Sequence, residues 1–172
     1  MNEGLKQLNN AKRETAEARF FDCCGSQCWA QMMTEARPFN DVSALLGQAK
    51  QIWQKLESED WLEAFAAHPK IGIRRAVSQQ SAESAQWSNA EQSGTRVADD
   101  SVLSELSKAN RLYEERFGYI FIVCATGKSA EEMLDLCLLR LNNPADAELS
   151  IAAQEQRKIT EIRLKKLLES GF

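Results

Sequence analysis

The sequence predicts an all-α fold, a single-domain helical bundle with a long last helix, on three observations. Gly and Pro together supply only 11 of the 172 residues, roughly half their usual share. Ala (22), Leu (18) and Glu (18) dominate, while Val, Ile and Thr supply 18 residues between them. Straight-chain residues lose little rotamer freedom in a helix and β-branched ones lose more, so this mixture favours helix over sheet. Thirdly, apolar residues recur at three- and four-residue spacing along most of the chain.

The elements follow in order. A first helical stretch covers roughly Ala11 to Asp22, and a second runs from about Ser26 to Ala36, ending before Pro38. Asn40 or Asp41 can cap a third, which places Val42, Leu45, Leu46, Ala49, Ile52, Trp53 and Leu56 at helical spacing. A short fourth helix around Asp60 to Ala67 contributes Trp61, Leu62 and Phe65 and stops at His68-Pro69. Residues 73–86 carry little periodicity and read as a connector. Ser88-Asn89-Ala90-Glu91 has the form of a capping box at a helix start. Another helix runs from about Ser101 to Arg116, striped by Val102, Leu103, Leu106, Ala109, Leu112 and Tyr113. Ser129-Ala130-Glu131-Glu132 is a second capping box, opening a helix through Leu141. Pro144 suits the first turn of the long last helix, which runs towards Gly171. Tyr119 to Cys124 is the one strand-like stretch; with no partner strand, it reads as an extended buried segment.

Composition also bounds function. At 44 % hydrophobic and 27 % charged, the chain is neither disordered nor a membrane protein. No apolar run approaches the roughly 20 residues needed to span a bilayer. The first residues, with Asn9, Asn10, Lys12, Arg13 and Glu14, lack a signal-peptide core. A net charge of −4 without a basic stripe argues against nucleic acid as a partner. One histidine excludes triads and metal sites that need two. The five cysteines, Cys23, Cys24, Cys28, Cys124 and Cys137, are odd in number and form no CxxC pair. They read as reduced, small buried hydrophobes, with a thiol-based redox role as the alternative.

Three residues stand out chemically. His68 precedes a proline, which pushes its backbone away from the helical region and can turn the imidazole towards a cleft. Imidazole titrates near neutrality and suits proton transfer, although a lone histidine also serves as a cap or surface residue. Glu91 is either the third residue of its capping box or a carboxylate presented with exposed amides at a helix N-terminus. Arg163, four residues after Ile159, is either a snorkelling arginine or a guanidinium that clamps a substrate carboxylate. The aromatic residues Trp29, Trp53, Trp61, Trp87, Phe65 and Phe117 read as core.

Read together, these pieces resemble a known family. Arg37-Pro38-Phe39, Phe65-x-x-His68-Pro69-Lys70-Ile71-Gly72 and Ser88-x-x-Glu91-Gln92 carry the first half of the likeness. Asn110-x-x-Tyr113-x-x-x-Phe117-Gly118-x-x-Phe121-Ile122-x-Cys124-Ala125 follows, and Arg140-Leu141-x-Asn143, Glu148, Glu155, Lys158-Ile159 and Arg163-Leu164 continue it. The chain is similar, from about Leu8 to Leu168, to the OHCU (2-oxo-4-hydroxy-4-carboxy-5-ureidoimidazoline) decarboxylases. HPxIG followed some twenty residues later by SxxEQ is its most specific feature. Ile120 departs from the pattern, standing where many members have proline.

The resemblance implies an all-α, cofactor-free lyase of urate degradation with no metal, converting a ureidoimidazoline substrate into (S)-allantoin and CO2. It implies His68 as general acid/base and Glu91 as its partner. Pro69, Ser88, Gln92 and the segment Phe121, Ile122, Val123, Cys124 and Ala125 would line the pocket, and Arg163 would contact the substrate. A homodimer in the cytoplasm is also implied, in keeping with a C-terminal Ser170-Gly171-Phe172 that is no peroxisomal address. A non-catalytic helical interaction module of the same fold is the alternative from another class.

Overall fold

A computed structural model of the chain describes residues 2–71, 81–95 and 98–170, and every regular element among them is helical. In order these are α1 (Glu3–Asn10), α2 (Arg13–Cys24), α3 (Gln27–Glu35), α4 (Val42–Trp53), α5 (Ser58–Ala66), α6 (Ala82–Glu91), a 3₁₀ turn (Ser93–Thr95), α7 (Asp100–Phe117), α8 (Ala130–Arg140) and α9 (Ala145–Ser170). The all-α expectation and the long last helix both hold.

Short polar side chains start most of these helices by accepting a backbone N–H that has no partner inside the helix. Ser26 caps α3, and Asp41 caps α4 through the Ala44 N–H at 2.7 Å. Ser129 and Glu132 form the expected capping box of α8, with bonds of 3.2 and 2.7 Å. Pro144 stands just before α9 and its carbonyl accepts the Glu148 N–H at 2.9 Å. Gly118, at φ +80°, ends α7 in the left-handed conformation that glycine adopts without strain.

Three local expectations need correction. Helix α1 was not foreseen: Asn2 caps it through the Leu5 N–H at 2.9 Å, and Leu5 and Leu8 are buried. Ser88 and Glu91 do not open a helix; they lie in the last turn of α6, whose cap is Ser81. Residues 82–86, assigned to the connector, are therefore helical, and the rest of that expectation, 73–80, falls outside the described residues. Helix α6 escapes a periodicity search because its polar and apolar residues are mixed around the axis, leaving the propensity of Ala, Glu and Gln to form it.

Contacts gather the described residues into two compact units. One comprises the chain up to Ala64 with the part from Arg157 onward. Its core holds Leu8, Phe20, Trp29, Met33, Leu45, Leu164 and Leu167 without solvent exposure. Phe20 meets Trp29 and Phe39 edge-on, at ring separations of 5.9 and 6.4 Å.

The other unit, Phe65–Gln156, packs α7 against α8 around Leu106, Tyr113, Phe121, Val123, Met133 and Cys137. Of the stretch expected to be extended and buried, Tyr119 to Cys124, residues Phe121 to Cys124 are buried while Tyr119 and Ile120 are half-buried; burial continues to Ala125, and the whole run is irregular. Buried backbone groups need partners, and here side chains supply them in place of a neighbouring strand. Arg140 donates to the Ile122 carbonyl at 2.8 Å, Glu155 accepts the Cys124 N–H at 2.7 Å, and Lys128 donates to the Cys124 carbonyl at 2.8 Å.

Candidate active site

The second unit is organised by a buried carboxylate. Glu148 is fully buried and accepts from Arg140 Nε (2.8 Å) and Nη2 (2.5 Å), from Asn143 Nδ2 (2.7 Å) and from the Tyr113 hydroxyl. Burial, and then the bond to Glu148, pushes the Tyr113 hydroxyl up from its ordinary pKa, so it remains a donor. The Arg140 guanidinium also lies over the Phe121 ring, 4.7 Å from its centre. This cluster therefore fixes the Phe121–Ala125 segment at Ile122, near its start, and Glu155 fixes it at Cys124, near its end.

His68 lies just beyond α5, where its N–H closes the helix end on the Phe65 carbonyl at 3.1 Å. The side chain is half-buried, and its Nε2 stands 2.7 Å from Oε1 of Gln156, a fully buried residue of α9. The next residues are also held by side-chain amides. Gln92 Nε2 donates to the Pro69 carbonyl at 3.4 Å, and Asn110 Nδ2 donates to the Ile71 carbonyl at 3.3 Å. Side chains from α7, from α9 and from the C-cap of α6 thus hold His68, Pro69 and Ile71.

Of the residues singled out from sequence, Pro69 and Gln92 are brought together by that bond. Ser88 and Glu91 are buried one turn apart at the end of α6. The chain beyond them passes close to the residues that follow Cys124: a Cβ on Gly94 would come within 2.0 Å of the Lys128 carbonyl, so only glycine fits there. The Glu91 charge is felt at Cys124. Burial first, then Glu155 and more weakly Glu91, push that thiol up, while Lys128 opposes them. His68, Glu91 and the Phe121–Ala125 segment all belong to this unit.

Arg163 belongs to the other unit, and its position there excludes the snorkelling alternative. A snorkelling arginine keeps its head in water, yet Arg163 is only 2 % exposed. Its Nη1 reaches the Asp22 carbonyl near the C-terminal end of α2 at 3.5 Å, and it neighbours Cys24.

All five cysteines are thiols. Burial pushes Cys24 and Cys137 up to about 12, and also raises Cys28 and Cys124. A thiol held protonated is a poor nucleophile, which argues against the redox alternative. Among the described residues, no three His, Cys, Asp or Glu side chains gather as metal ligands, and no helix is long and apolar enough to cross a membrane.

The model of the OHCU decarboxylase family matches residues 9–165. The chain belongs to the OHCU decarboxylase family. It is 42 % identical over 166 residues to the uric acid degradation bifunctional protein TTL of Arabidopsis thaliana, covering 90 % of this chain and 48 % of that protein. It is 25 % identical to the 2-oxo-4-hydroxy-4-carboxy-5-ureidoimidazoline decarboxylase of Haloferax volcanii, covering 93 % of each. A crystal structure described as OHCU decarboxylase in the presence of (S)-allantoin superposes with a TM-score of 0.77 at 37 % identity, covering 92 % of this chain and 99 % of that one. The chain spans about half the length of the Arabidopsis protein and about a third of the bifunctional protein PucL of Bacillus subtilis.

Membership gives the motif residues of this chain a physical division of labour. Tyr113, Arg140, Asn143, Glu148 and Glu155, which carry the family likeness, are scaffold: they hold the Phe121–Ala125 segment. Gln156 is the contact that sequence reasoning missed. It follows Glu155 directly, yet an isolated glutamine on a helix gives no sign that it is buried against a histidine 88 positions away.

Proposed function

We propose that this chain decarboxylates 2-oxo-4-hydroxy-4-carboxy-5-ureidoimidazoline to (S)-allantoin and CO2, as one decarboxylase-like domain acting in urate degradation. Family membership over residues 9–165 supports the reading. The observation that carries it is the single, half-buried histidine, held at 2.7 Å by a buried amide within the motif that marks the family.

Loss of CO2 leaves an electron pair on a ring carbon next to an imine or carbonyl, so the substrate is its own electron sink. The protein has to hold the substrate, stabilise the developing charge and deliver a proton to one face. His68 delivers that proton, a contribution of about 10²–10⁴-fold. Glu91 is its partner in the site. Pro69, Ser88, Gln92 and the segment from Phe121 to Ala125 line the pocket. Arg163 anchors an anionic or carbonyl edge of the substrate with the paired donors of its guanidinium. The working form is a homodimer in the cytoplasm with neither nucleic acid nor membrane as a partner.

The substrate also decays unaided to racemic product, which defines the test. It is generated freshly in a coupled assay and the circular dichroism of allantoin is followed. Faster formation with excess of one hand is expected; an unchanged rate and a racemic product would overturn the reading in favour of a non-catalytic helical module.

A further inference from the structure

The bond between His68 and Gln156 bears on which ring nitrogen does the chemistry. Gln156 lies on the buried stripe of α9 with Ala152, Ala153, Ile159 and Thr160, and it has no solvent exposure. An amide in such a place costs about 1–3 kcal/mol unless it is hydrogen-bonded, so packing alone favours an apolar side chain there. The Gln156 oxygen carries no proton. At 2.7 Å from His68 Nε2 it therefore accepts, and the proton resides on Nε2.

We propose that Gln156 is the positioning residue of His68, holding the proton on Nε2 so that Nδ1 exchanges a proton with the substrate. The inference rests on the decarboxylase reading for what Nδ1 does. Before turnover the ring carries a proton on each nitrogen. The carboxylate leaves as CO2 and its bonding pair stays with the ring system of the substrate. The Nδ1 proton then goes to the carbon that becomes the stereocentre, leaving a neutral imidazole with its proton on Nε2. Solvent returns a proton to Nδ1 for the next cycle. Glu155, beside Gln156 on the same helix, holds the Cys124 N–H at 2.7 Å, so one rigid element sets both the histidine and the proposed pocket segment.

The chain contains one histidine, so its ring nitrogens can be read without assignment by long-range ¹H–¹⁵N correlation of the labelled whole protein. At a pH where the ring is neutral, wild type is expected to show one tautomer, protonated on Nε2. Gln156→Met, of similar shape without the acceptor, is expected to average between tautomers. Its kcat should fall about tenfold or more, a part of the roughly 10²–10⁴-fold that such proton transfer contributes, while KM stays within about twofold. Gln156→Glu, which retains an oxygen at the same reach, should keep the proton on Nε2. An Nδ1-protonated or averaging ring in an active wild type would overturn the inference, as would Gln156→Met with wild-type tautomer and kcat. A wild type that makes no (S)-allantoin would instead overturn the decarboxylase reading, and with it the role given to Nδ1; the ring spectra would still report whether Gln156 holds the proton on Nε2.

Discussion

Two polar arrangements share the first half of α9 and differ in kind. Around Glu148 the charged partner is buried with it, and one carboxylate receives two bonds from buried Arg140 and one each from half-buried Asn143 and buried Tyr113. Two turns further along, Gln156 makes a bond to a histidine that is only half-buried and sits at the end of α5. The first arrangement has its carboxylate oxygens already taken up by donors, so a ligand has little to gain there. The second keeps a titratable ring in reach of solvent while fixing its orientation. Charge buried and compensated builds the site; a proton carrier partly open to water can work in it.

Substitutions should separate the two. The largest effect is expected at the open arrangement: His68→Asn should lower kcat by about 10²–10⁴-fold and abolish the excess of one allantoin hand. Loss of its bond to the buried Gln156 amide should lower stability, read from the urea midpoint, by no more than about 1–3 kcal/mol. A large loss of stability in that variant would place His68 with the scaffold instead.

The buried cluster should respond in the opposite way. Glu148→Gln leaves the Arg140 charge buried without its counterion, and breaking such a pair costs about 3–5 kcal/mol. Chemical denaturation measures this directly. A midpoint close to that of wild type would show that the cluster is not what holds the Phe121–Ala125 segment.

Glu155 lies between these extremes. Glu155→Gln weakens a charge-assisted bond to the Cys124 N–H, worth about 1.5–3 kcal/mol when made by a charged group. Partial exposure puts the expectation at the low end. Faster hydrogen exchange at the Cys124 amide, with a modest rise in KM, would sharpen the comparison; unchanged exchange would remove Glu155 from the scaffold.

At neutral pH the smallest effect belongs to the buried thiols. Cys24 and Cys137 are pushed from 9.0 up to about 12 by burial. The folded state therefore holds these protons more tightly than the unfolded state does. Their contribution is complete below pH 9 and is lost as the pH rises towards 12. Cys24→Ala should flatten the alkaline fall in stability in an unfolding series from pH 7 to 11. An unchanged alkaline limb would contradict the assignment.

Much of the helical order was legible because capping and periodicity are local. Asp41, Ser129 and the glycine after Phe117 announce their boundaries within four residues. Helix α6 was not, since it lacks an apolar stripe, and S-x-x-E in its last turn imitates a helix start. His68, Glu91 and Arg163 could be named as candidates, but their burial could not be read. Arg163, compatible with a snorkelling pose by spacing, is enclosed beside Cys24 and the end of α2.

By itself the sequence determined the helical class, most helix ends, a buried non-helical stretch within Tyr119–Cys124 and the one imidazole available for proton transfer. Those features follow from backbone propensity, side-chain caps and residue inventory, all of which act within a few positions of the chain. Only the tertiary structure decided that Gln156 faces His68, that Glu155 holds Cys124 and that Tyr113 reaches Glu148. Hydrogen bonds between residues tens of positions apart leave no local pattern, because their partners meet only after the apolar surfaces of α7, α8 and α9 have been buried.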